Sequence, residues 1–563
     1  MRTRAETRAS HRADVVVVGA GHNGLVTACY LARAGFDVTV VEAAPTIGGM
    51  TSTNPMAPEA PEYLINEASI QASLFRATTI ERDLELGTRF GLRMTVIDPA
   101  HVQMGPGGES IALWRDPART ADEIRRFSER DARAWLELNE VIDAAVQMGM
   151  PLMQTSPVRP DPRQVMRSLR ALVRGRRQLA AIGRWVMASH QEAVEERFET
   201  DLVRAALLIG LPFQRFDTDG GGWALIYLGV LRRYGVAMFH GGTGALPAAL
   251  ERCLTAAGGR VITDEPVEEL LMHGDRVAGV RTSNGTVVEA RHAVVTACSP
   301  KTTLTRLLPS GVLPPRLENR ARHIPTATRG ICDYKLNIAL KGRLTLPRHT
   351  KWRGDDVDLR LGANSFNSYR ETLDAAAAAA AGEIPDHVPG LAQITTAFDP
   401  TMAPPGCDTY WFWSGLTPTH PREGWDVARR EITARAIKDA ALYYEGIEEL
   451  EIARRPLVRP DIEERFFAID GSIYHVDPVP TRFGPLKPAL GFGGYRTVVP
   501  GLYLTGSGTH PVAGISGIPG QNAAKAVLRD LKGVLTRRGA SEQPPVTVAQ
   551  ANGHHRVDDL ENV

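Results

Sequence analysis

The stretch VVVVGAGHNGLVTACYLARAGFDVTVVE, residues 15–42, decides the fold of this chain. Val15–Val18 is an unbroken β-branched run, typical of a parallel strand that is covered on both faces. Gly19, Gly21 and Gly24 then form a GxGxxG pattern. In that pattern the glycines allow a sharp turn, a close backbone approach to a pyrophosphate, and tight packing of helix on strand. The sequence therefore predicts a dinucleotide-binding βαβ unit.

The rest of the unit agrees with this prediction. From Leu25 the apolar residues follow helical spacing, and Gly35 is expected to end the helix. The free N–H groups at the start of the helix and its dipole both suit a phosphate. The second strand, Asp37 to Val41, leads to Glu42, which is placed to accept hydrogen bonds from a ribose. An ordinary βαβ unit with a glycine turn is the alternative, and the ordered succession of features favours the nucleotide site.

Two further glycine-rich segments extend the predicted site. Gly48 and Gly49 follow the second strand, where their backbone N–H groups can approach a phosphate, as is typical of FAD rather than NAD. Near the other end of the chain, residues 502–520 read LYLTGSGTHPVAGISGIPG, a short strand and a glycine-rich loop that enters a helix. That helix N-terminus would stabilise negative charge on a reduced flavin. We expect FAD to be held by both segments.

The middle of the chain is expected to consist of insertions into this nucleotide fold. Residues 78–234 read as mostly helical, and residues 239–300 as a helix, a third parallel strand and two hairpins. The predicted fold class is α/β, with a Rossmann-like FAD-binding domain interleaved with a mixed α+β substrate domain. The predicted FAD-binding domain comprises residues 14–77, 236–310 and 490–536, the substrate domain residues 78–235 and 311–489, and disordered tails residues 1–13 and 537–563.

The composition narrows the possible partners and the compartment. The 65 lysines and arginines nearly balance the 64 acidic residues, so bulk charge favours neither nucleic acid nor an acidic partner. The five cysteines contain no CxxC pair, which argues against a disulfide framework or a metal site and favours a reducing, cytoplasmic compartment. No apolar run approaches the ~18 residues of a membrane span. Residues 1–13 lack the apolar core of a secretory signal.

One arginine-rich section permits two interpretations. Residues 160–189 read PDPRQVMRSLRALVRGRRQLAAIGRWVMAS, with an apolar stripe at helical spacing among the arginines. The stripe comprises Val165, Leu169, Leu172, Val173, Leu179, Ile182 and Val186, and the arginines are Arg163, Arg167, Arg170, Arg174, Arg177 and Arg184. The section is either a packed helix with a solvated basic face or a helix peripheral on a membrane surface. Gly175 and Gly183 weaken a long continuous helix.

Other residues also leave alternatives open. Trp411, Phe412 and Trp413 alternate like a strand, so the two tryptophans either pack in the core or line a cavity for a flat or long apolar substrate. His510 is either a base or, in its Thr-His-Pro turn, a residue that holds the loop by hydrogen bonds. No catalytic constellation is evident, and the catalytic residues remain unknown.

Three ordered blocks resemble one protein family. They are GAGHNGLVTACYLARAGFDVTVVE with Gly48-Gly49, GGTGALPAALERCLTAAG with EPVEEL, and LYLTGSGTHPVAGISGIPG. Together they resemble the phytoene desaturase-like FAD-dependent oxidoreductases, in the branch of the carotenoid desaturases and the pyridine nucleotide-disulfide oxidoreductase domain-containing protein 2. The resemblance implies a glutathione reductase-type FAD fold of the flavin amine oxidase and phytoene desaturase superfamily.

The resemblance also implies the residues that contact FAD. It implies phosphate contacts at Gly19, Gly21, Asn23, Gly24 and Gly49, a ribose contact at Glu42, an adenine-side backbone contact at Val267, and flavin-end contacts at Gly506, Ser507, Gly517 and Ile518. Many relatives carry an arginine after the GG pair, where this chain has Met50. One charge that neutralises the pyrophosphate is therefore missing or supplied from elsewhere.

Three functions fit these features. The first is an FAD-dependent desaturase or dehydrogenase that passes a hydride from a C–H bond of an apolar, isoprenoid-like substrate to flavin N5. The second is an oxidase or dehydrogenase of an amine or a secondary-metabolite intermediate. The third is a non-enzymatic member that binds a lipid or a protein. Only one dinucleotide fold is evident, so electrons are expected to leave for oxygen, a quinone or another diffusible acceptor.

Overall fold

The computed structural model describes residues 10–208, 215–511 and 514–534. Residues 1–9 and 535–563, on which most of the tail prediction falls, lie outside the described residues. The first strand begins earlier than predicted, at Ser10, so the end of the predicted leader belongs to the sheet.

The described chain contains both strands and helices, with a run of helices from α4 to α10 between β7 and β8. The strands are β1 (Ser10–Val18), β2 (Val38–Val41), β3 (Thr53–Pro55), β4 (Leu64–Asn66), β5 (Met94–Ile97), β6 (His101–Met104), β7 (Ser110–Leu113), β8 (Val236–Phe239), β9 (Arg260–Ile262), β10 (Val267–His273), β11 (Arg276–Thr282), β12 (Val287–Thr296), β13 (Ile331–Leu340), β14 (Ala363–Ser365), β15 (Leu391–Ile394), β16 (Asp408–Pro418), β17 (Glu451–Leu457) and β18 (Leu502–Leu504). The α-helices are α1 (His22–Arg33), α2 (Ser73–Arg76), α3 (Ile80–Asp83), α4 (Pro117–Arg125), α5 (Glu129–Met153), α6 (Pro162–Arg174), α7 (Leu179–Met187), α8 (His190–Glu195), α9 (Asp201–Leu207), α10 (Ala224–Tyr234), α11 (Ala245–Ala256), α12 (Pro300–Thr302), α13 (Pro315–Arg322), α14 (Pro347–Arg353), α15 (Tyr369–Ala380), α16 (Thr395–Phe398), α17 (Trp425–Ala441), α18 (Arg459–Phe466) and α19 (Ile518–Asp530).

The first sheet is the predicted nucleotide fold. Its strand order is β10-β11-β12-β1-β2-β9, and β18 pairs with the end of β12. β1 is parallel to β2 and β12, and the pairs β2–β9 and β12–β18 are also parallel. Val15 and Val17 face a core shared with α1, α11 and α19, whereas Val16 and Val18 face a second core on the other side of the sheet. Burial on both faces explains the unbroken valine run.

The second sheet carries the cavity described below. Its order is β17-β13-β16-β15-β14-β6-β7, and the long central pair β13 and β16 is antiparallel. The strands predicted in ICDYKLNIALKG and TYWFWSGL are confirmed as β13 and β16. The prediction that residues 78–234 are mostly helical is wrong for residues 94–113, which form β5, β6 and β7. β5 pairs with β8, and β6 pairs with β14. Because these partners are distant in the sequence, no local pattern predicts the strands.

The arginine-rich section forms two helices instead of one. α6 ends at Gly175, and α7 starts after a short 3₁₀ turn at Arg176–Gln178. α6 rests on α5 through small residues: Ser168 donates a hydrogen bond to the carbonyl of Met148 at 2.7 Å, and Gly175 lies against Ala144. The apolar stripe therefore does not form the packed face of α6. Its members remain exposed: Leu169 (47%), Leu172 (41%) and Val173 (63%), with Met166 (48%) beside them.

Candidate functional site

The head loop, residues 19–24, joins β1 to the first turn of α1 and has the geometry of a nucleotide-binding turn. Gly19 has a left-handed backbone with φ 99°, and a Cβ at Gly24 would overlap the carbonyl oxygen of Gly19. Glycine is therefore required at Gly24 for α1 to start so close to the end of β1. A Cβ at Gly21 would meet no protein atom within 4 Å. The structure thus leaves open space beside Gly21, at the N-terminus of α1, where a phosphate is expected.

The GG loop, which follows β2 and contains Gly48 and Gly49, lies against the head loop. Gly48 donates a backbone hydrogen bond to Ala20 at 3.0 Å and forms a bridge with Gly21, and a Cβ at Gly49 would lie 3.7 Å from the Cα of Gly21. Asn23 is 4% exposed, and its side-chain oxygen has no hydrogen-bond partner among the described residues. The head loop and the GG loop therefore bring the predicted phosphate residues together.

Glu42 lies at the end of β2, as predicted. Its carboxylate accepts hydrogen bonds from the backbone N–H groups of Ala20 and Ala44, which leaves further lone pairs for ribose hydroxyls. Burial raises the pKa of Glu42, and the backbone hydrogen bonds and the nearby Arg465 guanidinium oppose that rise. Val267 starts β10, and the segment before it runs beside Glu42, because Glu265 donates to the Glu42 carbonyl at 2.9 Å. Val267 is thus on the side of the site expected for adenine.

Met50 joins an apolar cluster instead of a charged site. It packs with residues of β17 and α18, among them Leu457 and Ile462. Arg465 on α18 pairs with Glu67 at 2.6 Å, and Arg455 pairs with the same carboxylate at 3.0 Å. Two arginines on one carboxylate leave a net positive charge close to the GG loop.

The tail loop, which contains Gly506 and Gly517 and lies between β18 and α19, contacts the head loop. Gly506 has φ 88°, and a Cβ there would lie 2.6 Å from the carbonyl oxygen of Ala297, the residue that also contacts Gly19. Gly517 caps α19 with φ 68°, and Ile518 is fully buried in the first turn of the helix. The His22 ring hydrogen-bonds the backbone of Gly514, and burial lowers the pKa of His22 to about 4. A neutral His22 therefore ties the two loops together.

The His510 ring holds the tail loop. Its Nε2 lies 3.2 Å from the carbonyl oxygen of Leu152, and the carbonyl of His510 accepts a hydrogen bond from Tyr495 at 2.7 Å. Burial lowers the pKa of His510 to about 4. This geometry agrees with the loop-holding interpretation of His510.

A cavity opens where the loops meet the second sheet. Part of its lining comes from the loops and the segments beside them: His22, Met50, Thr51, Ser507, Gly514 and Ile515. Another part is aromatic: Trp223, Tyr227, Trp411, Trp413 and Tyr474. Trp411 and Trp413 share one face of β16, while Phe412 is buried in the core on the other face. Both interpretations of these tryptophans hold: Trp411 belongs to a buried apolar cluster against which Trp413 packs, and both residues line the cavity.

Two lysines in this cavity were missed by the sequence analysis. Lys335 lies in the middle of β13, and Lys487 follows the 3₁₀ turn Gly484–Leu486. They are 3% and 1% exposed, respectively. For Lys335 a signal was available, because a lysine inside the apolar strand pattern of DYKLNIAL is unusual. Lys487 lies in an irregular segment with no such pattern.

The fold and the site define a flavin-binding oxidoreductase. The sequence matches the family model of the FAD-dependent oxidoreductases over residues 14–438, and the chain belongs to this family. Its cofactor is accordingly FAD. The open space beside Gly21, at the N-terminus of α1, fits the phosphates of such a dinucleotide.

Relatives and solved structures agree with this assignment. The chain is 30% identical to the mouse (Mus musculus) pyridine nucleotide-disulfide oxidoreductase domain-containing protein 2 over 92% of this chain and 94% of the relative. It is 25% identical to the lycopene-forming phytoene desaturase of Pseudescherichia vulneris over 91% of this chain and 98% of that protein. Wild-type putrescine oxidase bound to putrescine shares the fold, with a TM-score of 0.55 and 16% identity over 94% of this chain and 100% of that one.

Proposed function

We propose that this protein is an FAD-dependent dehydrogenase of the desaturase type, which takes a hydride from a C–H bond of a substrate with an apolar, isoprenoid-like body. The observation that carries the proposal is the aromatic cavity, which begins at the loops from both ends of the chain. Flat or conjugated substrates pack well between aromatic rings, which bury a large apolar area.

The proposed FAD contacts follow the sequence prediction. The phosphates lie against the head and GG loops, the ribose against Glu42, adenine against the backbone of Val267, and the flavin end against the tail loop. The full set is Gly19, Gly21, Asn23, Gly24, Glu42, Gly49, Val267, Gly506, Ser507, Gly517 and Ile518. The geometric support is that head, GG and tail loops are in mutual contact.

When bound, FAD would supply a hydride acceptor, and oxygen, a quinone or another diffusible acceptor would take up the electrons. The chain's own residues orient the substrate and exclude water. Trp411 and Trp413 form one wall of the cavity, while Trp223 and Tyr227 line it from α10 and the turn before it. Orientation and a dry site account for much of the rate that a hydride transfer needs.

A membrane surface is the proposed source of the substrate. In the described residues no helix combines the length and the apolar character needed to cross a bilayer. α6 and α7 instead present exposed apolar side chains, including Val173 and Met187 (77% exposed), among arginines. Of those arginines only Arg184 forms an ion pair within the described chain, with Glu196 at 2.7 Å. Cations and apolar side chains on one exposed face suit anionic lipid.

The same helices lead to the cavity. Gly222 donates a hydrogen bond to the carbonyl of Ala188 at 3.0 Å, just beyond the end of α7. A Cβ at Gly222 would overlap the carbonyl of Trp185, so the turn Gly221–Trp223 packs directly on α7. Trp223 in that turn lines the cavity. A lipid-dissolved substrate would thus have a short path from the surface to the site. A cytoplasmic location with peripheral membrane binding stays a prediction.

The test is anaerobic reduction of the purified flavoprotein. Carotenoid and other isoprenoid compounds are added one at a time, and the oxidised flavin absorbance is followed. Bleaching by an isoprenoid, with a dehydrogenated product, supports the proposal. The second candidate is an amine oxidase, which the putrescine oxidase fold favours. Bleaching by amines alone would establish that candidate, and a protein that takes up no FAD would contradict both.

A further inference from the structure

The two cavity lysines bring amine groups, which carry a positive charge when protonated, into a mainly apolar pocket. Lys335 donates a hydrogen bond from Nζ to the carbonyl of Phe412 at 3.0 Å, and its Nζ lies 3.4 Å from the centre of the Trp411 ring. Among the described residues neither Lys335 nor Lys487 forms an ion pair. The positive end of Lys335 is partly satisfied by the carbonyl and the ring face.

Lys487 is the less satisfied of the two. Its amine lines the cavity at 1% exposure, with no hydrogen bond from Nζ to any described residue. The neighbouring histidines, His475 and His510, are kept neutral by burial, with pKa values lowered to about 4, and the Lys487 charge contributes to that lowering. A buried amine without a partner is costly unless a ligand supplies an acceptor.

Among the described residues no carboxylate lines the cavity beside this lysine. The Asp333 carboxylate lies outside that lining and accepts a hydrogen bond from the indole N–H of Trp413 at 2.8 Å. Burial raises the pKa of Asp333 to about 7, which weakens its negative charge at neutral pH. Among the described residues the cavity lining holds two lysines and no carboxylate. A lysine amine that is protonated there attracts an anionic oxygen and repels an ammonium group.

We propose that the cavity binds an amphipathic carboxylate, with its apolar body between the aromatic walls and its carboxylate paired with Lys487. This inference rests on the proposed function and names the substrate class of the same site. It also disfavours the amine candidate for this chain, because an ammonium substrate would lie beside two lysines.

The test measures binding to the oxidised holoenzyme and needs no turnover. Three probes share one isoprenoid body: geranic acid, geraniol and geranylamine. Their dissociation constants are measured by calorimetry and by the change in flavin absorbance. We expect geranate to bind at least about tenfold more tightly than geraniol, because a hydrogen bond to a charged group strengthens binding by about that factor. Geranylamine is expected to bind most weakly. Equal affinities, or tightest binding of the amine, would overturn the proposal without deciding whether the enzyme is a dehydrogenase.

Variants assign the effect to one side chain. Lys487→Met is expected to abolish the preference for geranate over geraniol and to keep FAD bound, whereas Lys487→Arg retains the preference. Lys341→Met, at an exposed lysine just after β13, is the matched control and should change nothing. If Lys487→Met loses FAD instead, the lysine serves the cofactor and the proposal is wrong. If the variant misfolds, the comparison of the three probes on the native protein still decides.

Discussion

Thr27 on α1 donates a hydrogen bond to the carbonyl oxygen of Gly520 on α19, at 3.1 Å, across 493 residues of sequence. The hydroxyl of Thr27 also lies 3.0 Å from the carbonyl oxygen of Asn23, in the first turn of its own helix. A Cβ at Gly520 would overlap that same Asn23 carbonyl. The first and last helices of the nucleotide fold are therefore in backbone contact, immediately beside the proposed phosphate site.

Gly520→Ala should push these two helices apart. The added methyl meets backbone, which cannot move aside cheaply, and we expect a loss of ~1–3 kcal/mol in the free energy of unfolding together with weaker FAD binding. Calorimetry of the purified protein and its FAD content measure the two effects. Gly183→Ala is the control, because a Cβ at Gly183, inside α7, meets nothing within 4 Å. A Gly520→Ala protein with native stability and FAD content would contradict the expectation.

Two glycines of the head loop should respond differently to alanine. Gly24→Ala overlaps the carbonyl of Gly19, so it should destabilise the protein even without FAD. Gly21→Ala meets no protein atom within 4 Å, so the apoprotein should keep its melting temperature while its affinity for FAD falls at least about tenfold. Melting of the apoprotein and titration with FAD separate the two effects. Unchanged FAD affinity in Gly21→Ala would remove Gly21 from the proposed site.

Charge on α6 should control membrane binding. Replacement of Arg167, Arg170 and Arg174 by Glu removes three exposed cations and adds three anions. Each arginine near an anionic surface contributes roughly 1 kcal/mol to the free energy of membrane binding. Binding to vesicles that contain phosphatidylglycerol should therefore fall by about a hundredfold. Flotation of the protein with the vesicles measures this. The same three positions changed to lysine are the control and should bind as the native protein does. Equal binding by the glutamate variant would reject the membrane surface at this face.

Binding of geranate should weaken at alkaline pH. Burial lowers the pKa of Lys487 to about 7, so the charged form that pairs with a carboxylate predominates below that pH. As the pH rises above 7 the amine must take up a proton to bind, and the affinity should fall by up to tenfold for each pH unit. Calorimetric titrations from pH 6 to 9 measure the profile.

Other groups near Lys487 have different signatures in that experiment. His475 and His510 stay neutral throughout, because burial lowers their pKa values to about 4. Asp333, with a pKa raised to about 7, ionises in the same range, and burial lowers the pKa of Lys335 well below its ordinary value. Lys487→Met distinguishes among them: its profile should be flat if Lys487 carries the effect. A profile that persists in this variant would assign the pH dependence to Asp333 or Lys335.

Local patterns were enough to predict the nucleotide fold. The head strand, its glycine turn, α1 and β2 lie within 33 consecutive residues, from Ser10 to Glu42, and the tail strand and α19 are equally compact. Such units are specified by short-range turns and by burial on both faces, which leave a clear mark in the sequence. The hairpins between β10, β11 and β12 were predicted for the same reason, from their Asn-Gly and Gly-Asp turns.

The cavity could not be predicted in the same way. Its walls come from distant segments, so that Tyr227, Lys335, Trp411 and Lys487 meet only through the packing of the second sheet against the loops. β16 shows the problem well, because alternation assigns Trp411 and Trp413 to one face and says nothing about what covers that face. The exposure of the apolar stripe on α6 could not be predicted either, because small residues, including Ser168 and Gly175, form the contact between α6 and α5.

The position of β12 has a consequence for how the protein is made. β12 pairs with β1 along one edge, and the end of its other edge is completed only by β18, which starts at Leu502. During synthesis that edge stays unpaired while some two hundred further residues are translated. An open strand edge is a site for wrong pairing, so we expect the nascent chain to depend on chaperones until β18 has been translated and FAD to be loaded only after that point.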